Sequence, residues 1–235
     1  MQISKTENLA IETLKKNKLK FFKLNDLALL LEFDKTKTYN LIKALKKKKI
    51  IEAVSSGIYC LEDANDFEIG VYFNSPSYVS FLSALNYYGF SDNNPKKITF
   101  VSTKYKKHKK FEFICLSKKR FFGYKKEGDI VIGEIEKVFV DSLLFPKYSG
   151  GIKETSRLLI GNLDKLDMNK LIDYSLKVES KMVLRRLGFI LDEKLDKKNK
   201  EKLLKKIGKG VGFLDPNIKT RRNLNKEWLL YTNLE

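Results

Sequence analysis

The 235-residue chain is poor in cysteine and histidine. Its two cysteines, Cys60 and Cys115, are far apart in the sequence, and neither belongs to a CxxC pair. A zinc site or a redox dithiol is therefore not expected, and both residues are predicted to be small buried hydrophobes within strands. The single histidine, His108, lacks the neighbours that a catalytic triad or a histidine-ligated metal needs, so we expect an exposed loop residue there.

Long apolar runs and the common cofactor and nucleophile motifs are also missing. No stretch reaches the roughly 18 uncharged apolar residues that indicate a transmembrane helix. The first residues, MQISKTENLAIETL, do not resemble a secretory signal, so a cytoplasmic protein without a membrane partner is expected. The chain contains no GxxxxGK[ST], GxGxxG or GxSxG sequence. We therefore expect no catalytic residue, no metal ion and no cofactor.

What the chain has in excess is positive charge. It contains 47 Lys and Arg against 29 Asp and Glu, which gives a formal net charge of +18. Such an excess favours polyanionic partners, namely DNA, RNA or an anionic membrane surface. Nearly all the basic residues are Lys, and AT-rich coding alone would also produce that bias. The net charge therefore indicates a polyanionic partner but does not distinguish among DNA, RNA and an anionic membrane surface.

The first sixty-odd residues predict two helices, a short turn, a third helix and a hairpin. The helices are expected over residues 4–17, from an N-cap at Asn25 onward, and over residues 35–48. Two strands, at 50–54 and 58–61, flank a tight turn. This order is that of a winged helix-turn-helix, whose third helix lies in the major groove of DNA. The predicted inner faces of the first two helices are Leu9, Ala10, Thr13 and Leu14, and Leu24, Leu27, Ala28 and Leu31.

The third predicted helix separates an apolar face from a polar one. Thr38, Ile42 and Leu45 recur at i, i+4 and i+7 and are expected to face the core. The opposite face then carries ammonium, amide and hydroxyl groups, which suit phosphates and base edges. An exposed lysine-rich helix that only scaffolds a partner protein is the alternative. The predicted DNA-binding residues, including the hairpin turn, are Lys35, Thr36, Lys37, Tyr39, Asn40, Lys43, Ser55 and Ser56.

The remainder of the chain predicts a mixed α/β domain with a helical C-terminal part, so the expected fold class is α+β. We place the domain boundary between residues 66 and 67, inside a linker at 62–74. A helix is expected to start at Ser75-Pro76, with Tyr78, Phe81, Leu82 and Leu85 on one face, and to end at Gly89. Strands are then expected at 97–102, 110–116, 120–124 and 129–135, and helices at 136–145 and beyond 152, with breaks near Gly161, Gly188 and 208–212.

The densest basic segment is residues 96–126, which contain twelve basic residues with aromatic residues between them. Glu112 is the one acidic residue in this segment. The alternation of Phe111, Phe113 and Cys115 predicts that they face a core. The lysines are open to two interpretations, an auxiliary polyanion contact or a solvated strand face. The predicted auxiliary contacts are Lys104, Lys106, Lys107, Lys109 and Lys110.

Two further groups of charged residues can each be interpreted in more than one way. Asp129, Glu134, Glu136 and Lys137 are close to the acid and lysine pattern of metal-dependent nucleases, although the spacing is off by one residue. A nuclease with an attached DNA-binding domain is therefore the alternative function. The arginine pairs Arg185-Arg186 and Arg221-Arg222 could clamp phosphates, but surface ion pairs with nearby acids are favoured. Trp228 and the residues after it could dock on the body or on a second copy.

Three segments resemble sequences of the AbiEi family of antitoxins. They are SPSYVSFLSALNYYGF at 75–90, FFGYKKEGDIVIGEIEKVFVDSLLF at 121–145 and LRRLGFIL at 184–191. They follow the predicted winged helix in the family's order, and the resemblance extends to about residue 195. None of these segments is a catalytic signature, so the resemblance depends on their order together.

The resemblance implies a non-enzymatic antitoxin and transcriptional repressor of a type IV toxin–antitoxin system for antiviral defence. Its winged helix would repress its own operon by binding double-stranded DNA, at an operator with inverted repeats. Its C-terminal domain would counteract a nucleotidyltransferase-like toxin without requiring a stable complex. None of these expectations follows from composition or periodicity.

Overall fold

The computed structural model of the chain describes residues 2–218 and 220–232. The described residues form two compact units that divide between Ser75 and Pro76, nine residues beyond the predicted boundary. Helices and sheets occur in both units, so the predicted α+β class is confirmed. Among the described residues, no helix has both the length and the apolar character needed to cross a membrane.

The first unit is built from helices around a small antiparallel sheet. The sheet has the order β1-β3-β2, and Phe22 is paired with Tyr59 while Ile51 is paired with Leu61. The segment after the first helix is thus a strand of this sheet. In chain order the elements are α1 (Lys5–Lys16), β1 (Phe21–Lys23), α2 (Leu24–Leu31), α3 (Lys35–Lys47), β2 (Ile51–Ser55), β3 (Ile58–Leu61) and α4 (Asp66–Phe73).

The core of the first unit contains one face of each of the helices α1, α2 and α3, together with Phe22 and residues of the sheet. The α1 face that reaches this core runs through Ala10 and Leu14, both fully buried, whereas Leu9 is 49% exposed. Leu9 was predicted to lie on the inner face, and this prediction is wrong. Glu7 occupies the inner stripe instead, because its carboxylate accepts hydrogen bonds from the Ser4 N–H and the Lys48 ammonium, both at 2.6 Å.

Side chains cap the second and third helices in different ways. Helix α2 has Lys23 as its N-cap residue, two residues before the predicted cap at Asn25. The Asp26 carboxylate accepts a hydrogen bond from the Lys23 N–H at 2.8 Å, which fixes this start. Helix α3 begins after Asp34, whose carboxylate accepts the Lys37 N–H at 2.8 Å.

The segment predicted as a linker contains helix α4. Asn65 and Glu68 form a reciprocal capping box, in which each side chain accepts the backbone N–H of the other residue. Glu68 also pairs with Lys20 at 2.8 Å, and the Tyr72 ring stacks on Phe21 with centroids 4.4 Å apart. These contacts make α4 part of the first unit.

The second unit has a five-stranded mixed sheet followed by helices and a small second sheet. The main sheet has the order β6-β5-β4-β8-β7, and the small one has the order β10-β11-β9. In chain order the elements are β4 (Ser77–Val79), α5 (Phe81–Tyr87), β5 (Ile98–Ser102), β6 (Phe111–Cys115), β7 (Tyr124–Glu127), β8 (Ile130–Gly133), α6 (Ile135–Leu144), α7 (Gly151–Gly161), α8 (Met168–Lys177), α9 (Lys181–Leu191), α10 (Lys197–Leu204), β9 (Gly212–Phe213), β10 (Leu224–Asn225) and β11 (Leu230–Tyr231).

The helix predicted to start at Ser75-Pro76 is instead a strand followed by a shorter helix. Strand β4 pairs with β5 on one side and β8 on the other, and Tyr78 within it is fully buried. Ser80 is the N-cap residue of α5, and Phe81 has a φ of +56° at the change of direction. The apolar spacing resembled a helix because Tyr78 and Phe81 both face the core from different elements.

Gly188 does not break a helix, contrary to the prediction, but lies inside α9. A Cβ atom at this position would lie 2.1 Å from the ring of Trp228, which is fully buried. The glycine therefore lets the tryptophan ring pack directly on the helix backbone. The C-terminal segment thus docks on its own unit through Trp228.

Two smaller predictions also fail in the second unit. Cys115 ends β6 and is exposed, whereas Cys60 is buried as predicted. The strand predicted at 120–124 begins only at Tyr124, because a short 3-10 turn, Lys118–Arg120, precedes it.

Candidate nucleic-acid interface

Helix α3 presents the polar face that its sequence predicts. Thr38 and Leu45 are fully buried and Ile42 is 2% exposed, so the predicted inward face is confirmed. Leu41, at 7% exposure, widens this buried face. The exposed residues of the helix include all the predicted base- and phosphate-contacting ones, Lys35, Thr36, Lys37, Tyr39, Asn40 and Lys43.

Local contacts hold this face in a fixed direction. Besides the Asp34 cap, the Thr38 hydroxyl donates to the Asp34 carbonyl at 2.8 Å. The Lys37 ammonium lies 3.6 Å from the centroid of the Phe33 ring, just before the helix. The start of α3 is therefore ordered by its own first turn and the preceding loop.

The lysines on α3 are not neutralised. The helix sequence, KTKTYNLIKALKK, contains no acid. Within the part of the chain that the structure describes, no ion pair involves Lys35, Lys43 or Lys47. By contrast, Lys48 just beyond the helix pairs with Glu7 at 2.6 Å. Since Lys35 lies in the first turn, where the helix dipole disfavours cations, it does not serve helix stability.

The hairpin turn contributes hydroxyl groups but no positive charge. Ser55 is half-buried and Ser56 is exposed, and Gly57 has a φ of +74° that allows the tight turn. The hairpin sequence 51–61, IEAVSSGIYCL, has no basic residue, and Glu52 on it is exposed. The hairpin therefore adds no positive charge to the polar face of α3.

Most of the positive excess belongs to the second unit. Residues 76–235 contain 34 Lys and Arg against 19 Asp and Glu, whereas residues 1–75 contain 13 against 10. The segment 103–110 connects the parallel strands β5 and β6. Its predicted contact residues Lys104, Lys106, Lys107, Lys109 and Lys110 are all exposed, as is Tyr105 at 72%.

The aromatic residues beside this segment have structural roles. Phe111 and Phe113 are buried at 1% and 3% exposure, so the predicted core role is confirmed for these two. His108 is partly buried rather than exposed, and its ring stacks on Phe111 with centroids 4.3 Å apart. Its Nδ1 accepts the N–H of Lys110 at 3.2 Å, which orders the turn into β6.

The acids and lysine of the nuclease alternative do not converge on one point. Asp129 is exposed in the turn between β7 and β8. Glu134 and Glu136 both lie beside the Lys170 ammonium, at 3.3 and 3.5 Å. Lys137 points the other way, into the core. Among the described residues, no three potential metal ligands of the His, Cys, Asp and Glu types are grouped together.

Lys137 and Asp141 form an ion pair that is fully buried in the second unit. The Lys137 ammonium also donates to the Tyr78 hydroxyl at 2.9 Å. Asp141 accepts hydrogen bonds from Tyr78 at 3.0 Å and from Ser80 at 2.9 Å. Burial, followed by the Asp141 charge, raises the pKa of Tyr78 well above its usual value, so its hydroxyl remains a donor. The sequence did not reveal this cluster, because its members come from three elements.

Arg185 and Arg186 are neither phosphate clamps nor members of surface ion pairs. Both are 4% exposed on α9 and bind backbone carbonyls. Arg185 donates to the Ile207 carbonyl at 2.7 Å, and Arg186 donates to those of Leu143 at 2.7 Å and Leu214 at 3.0 Å. Burial lowers the pKa of Arg186 to about 10. The pair therefore connects chain segments within the second unit, whereas Arg221 and Arg222 are exposed.

Comparison with known proteins identifies the fold without a function. No family model matches the chain, and neither does any curated protein. Among solved structures, the chain is similar to the crystal structure of the RV2827C protein from Mycobacterium tuberculosis, with a TM-score of 0.67. The match has 12% sequence identity and covers 97% of this chain and 92% of that one. At this identity the similarity shows a shared fold and nothing about activity.

Proposed function

We propose that the chain is a DNA-binding transcriptional repressor whose first unit is a winged helix-turn-helix with α3 as its recognition helix. The observation that carries the proposal is the polar face of α3, which exposes lysines without acidic partners and an asparagine between them. The order of helices and strands around it, with the sheet β1-β3-β2, supports the same interpretation.

The proposed contacts of the α3 residues with DNA differ according to the chemistry of each side chain. Lys35 and Lys43 would contact phosphates, which gives affinity that is independent of sequence and sensitive to salt. Asn40 would hydrogen-bond an adenine edge in the major groove, which gives discrimination between sequences. Ser55 and Ser56, at the hairpin turn, would contact the flanking backbone. Lys104, Lys106, Lys107, Lys109 and Lys110 of the second unit would add auxiliary phosphate contacts.

The second part of the proposal concerns the biological role, and the resemblance to AbiEi antitoxins supports it. The protein would repress its own operon at an inverted-repeat operator in the cytoplasm. Its second unit would counteract a nucleotidyltransferase-like toxin and would have no catalytic activity of its own. The nuclease alternative is less well supported, because the Lys137 ammonium is fully buried and bound to Asp141, away from the two glutamates.

The recognition role of α3 can be tested with two substitutions that should fail differently. Lys43→Ala should weaken binding to operator and scrambled duplexes alike and should reduce the log–log salt slope by about one unit. Asn40→Ala should preserve non-specific binding and cost roughly 1–3 kcal/mol on the operator. The measurement is fluorescence anisotropy over a salt series, with DNA from upstream of the gene. The matched control is Lys16→Ala, an exposed lysine at the end of α1. Unchanged binding by both folded variants would remove α3 as the recognition helix.

The antitoxin role needs a separate test in cells. The full chain and a variant that combines Lys43→Ala with Asn40→Ala are each co-expressed with the protein encoded by the adjacent gene, which the proposal expects to be a nucleotidyltransferase-like toxin. Both should restore growth if the second unit neutralises the toxin independently of DNA binding. Continued growth arrest with a folded and expressed full chain would contradict the antitoxin proposal and leave the DNA-binding proposal intact.

A further inference from the structure

The second unit contains a pocket that the DNA-binding proposal does not use. It has a volume of about 300 Å³, at the lower end of the range of small-molecule sites. The side chains that matter for its chemistry are Tyr88, Phe90, Lys125, Glu134, Glu136 and Lys165. One pocket thus combines aromatic rings, ammonium groups and carboxylates.

The aromatic side of the pocket is held in place by its surroundings. The Tyr88 hydroxyl donates to the Gly133 carbonyl at 2.9 Å, and burial, with nearby carboxylates as lesser causes, raises the pKa of Tyr88 so that the proton stays. The Phe90 ring stacks on Phe139 with centroids 6.1 Å apart. Because both rings are fixed by other contacts, they offer a preformed surface to a planar ligand.

The carboxylate side is equally ordered. Glu136 is 5% exposed and accepts the Asp167 N–H at 3.1 Å. Glu134 accepts a hydrogen bond from the Tyr174 hydroxyl, and the Lys170 ammonium lies between the two glutamates. Lys170 compensates part of their charge and holds them together. Since a carboxylate has up to four lone-pair sites, these oxygens can accept further hydrogen bonds from a ligand.

The remaining ammonium groups are the adjustable part of the pocket. The Lys165 nitrogen lies 5.1 Å from the Phe90 ring centroid, and the Lys125 nitrogen lies 5.5 Å from that of Tyr88. Lys125 also pairs with Glu127 at 2.9 Å, but its side chain is 48% exposed. Long exposed side chains of this kind can exchange a ring contact for an anionic ligand at little cost.

We propose that this pocket binds a nucleoside 5′-monophosphate. The base would stack against the Phe90 ring and contact the Tyr88 ring, which is tilted by 47° to it, at an angle. The phosphate would be held by Lys125 and Lys165. The ribose hydroxyls would donate hydrogen bonds to Glu134 and Glu136. A nucleotide supplies a planar ring, an anion and hydroxyl donors together, whereas inorganic phosphate leaves the rings without a partner and an apolar ligand leaves the charged groups without one.

The test is calorimetric titration of the full chain with AMP, GMP, CMP and UMP as probes. At least one of the four nucleotides should bind. Its affinity should be about tenfold or more higher than that of ribose 5-phosphate, adenosine or inorganic phosphate, because each of these lacks part of the chemistry that the pocket would recognise. The variant K125Q/K165Q should bind that nucleotide about tenfold or more weakly, whereas K198Q, an exposed lysine on α10, should bind it normally. Thermal melts confirm that each variant is folded.

Three results would overturn the proposal. The first is that none of the four nucleotides binds at about 1 mM. The second is that inorganic phosphate competes as well as the nucleotide does, which would reduce the site to an anion contact. The third is that the folded variant K125Q/K165Q binds like the parent, which would place the nucleotide elsewhere. None of these measurements involves DNA, so this proposal and the recognition role of α3 can fail separately.

Discussion

Helix α3 of the first unit and the buried basic residues of the second unit differ in how their positive charge is placed. On α3 of the first unit, Lys35 and Lys43 are exposed and have no acidic partner among the described residues, so the charge remains available to a ligand. In the second unit, Lys137, Arg185 and Arg186 are all buried, and protein oxygens accept their hydrogen bonds. Charge of the same sign is thus exposed without an acidic partner in one place and part of the architecture in the other.

This difference shows why net charge alone is a poor guide to a binding surface. The second unit holds most of the basic excess, yet three of its basic residues are structural. The first unit has only a small excess, with 13 lysines against 10 acids in residues 1–75, but concentrates it on one helix. The number of basic residues matters less than whether carboxylates or carbonyls already bind them.

The largest expected effect comes from breaking the buried pair of the second unit. Lys137→Met should lower the free energy of unfolding by about 3–5 kcal/mol, because it leaves the Asp141 charge buried without its cation. The double variant Lys137→Met/Asp141→Leu should recover part of that loss. Urea unfolding followed by Trp228 fluorescence reports on this unit, since Trp228 is the single tryptophan of the chain and is buried there.

The control for the buried pair is Lys198→Met, which removes an exposed lysine from α10. This variant should change the free energy of unfolding by no more than about 0.5 kcal/mol. If Lys137→Met were equally mild, the ammonium would not be needed to compensate Asp141, and the contrast between the two units would lose its main support.

A smaller effect should follow from truncating the first unit. The fragment 1–75 retains α4, whereas the fragment 1–66 loses Ile69, which is 7% exposed, and the Tyr72 ring stacked on Phe21. The longer fragment should be more stable by about 1.5–3 kcal/mol for the burial of Ile69 alone. Thermal unfolding by circular dichroism measures the difference. Equal stability of the two fragments would mean that α4 is not part of this folding unit.

The helices of the first unit could largely be predicted from the sequence, because residues close together in the chain determine which helix face is buried. The inward face of α3 follows from three residues at helical spacing, and the candidate recognition face follows from the same phase. One failure occurs where a distant contact decides, at Leu9, where Glu7 is held inside by Lys48. Helix α4 was missed although the Asn65 and Glu68 capping box is a local signal.

The second unit was harder to predict, because its strands and its pocket are formed by residues that are far apart in the sequence. Tyr78 and Phe81 have a helical spacing, but strands β5 and β8 make the segment around Tyr78 the centre of a sheet. The pocket beside Glu134 and Glu136 joins residues more than seventy positions apart, from Tyr88 to Lys170. No local pattern in the sequence indicates that such residues meet.

The packing of the second unit can be tested at Gly188. Gly188→Ala should cost about 1–3 kcal/mol, because its Cβ would overlap the fully buried Trp228 ring. The control is Gly161→Ala at the end of α7, where no atom lies within 4 Å of an added Cβ, and a gain of up to about 1 kcal/mol is expected. Thermal melts compare the two. Trp228→Leu in the Gly188→Ala background should abolish most of the additional cost, and persistence of that cost would indicate another cause.

The smallest expected effects distinguish lysines that serve the helix from those that serve a ligand. Lys35 lies in the first turn of α3 and Lys47 in the last, and both are exposed. The helix dipole opposes a cation at the first position and favours one at the last, so Lys35→Ala should stabilise the first unit and Lys47→Ala should destabilise it, each by about 0.3–1 kcal/mol at low salt. If both residues bind phosphate, both variants should weaken DNA binding nevertheless. A loss of affinity in Lys35→Ala together with higher stability would show that this charge is retained for binding. If Lys35→Ala left affinity unchanged, the lysine would be an ordinary solvated residue, and the recognition face would shrink to the residues from Lys37 to Lys43.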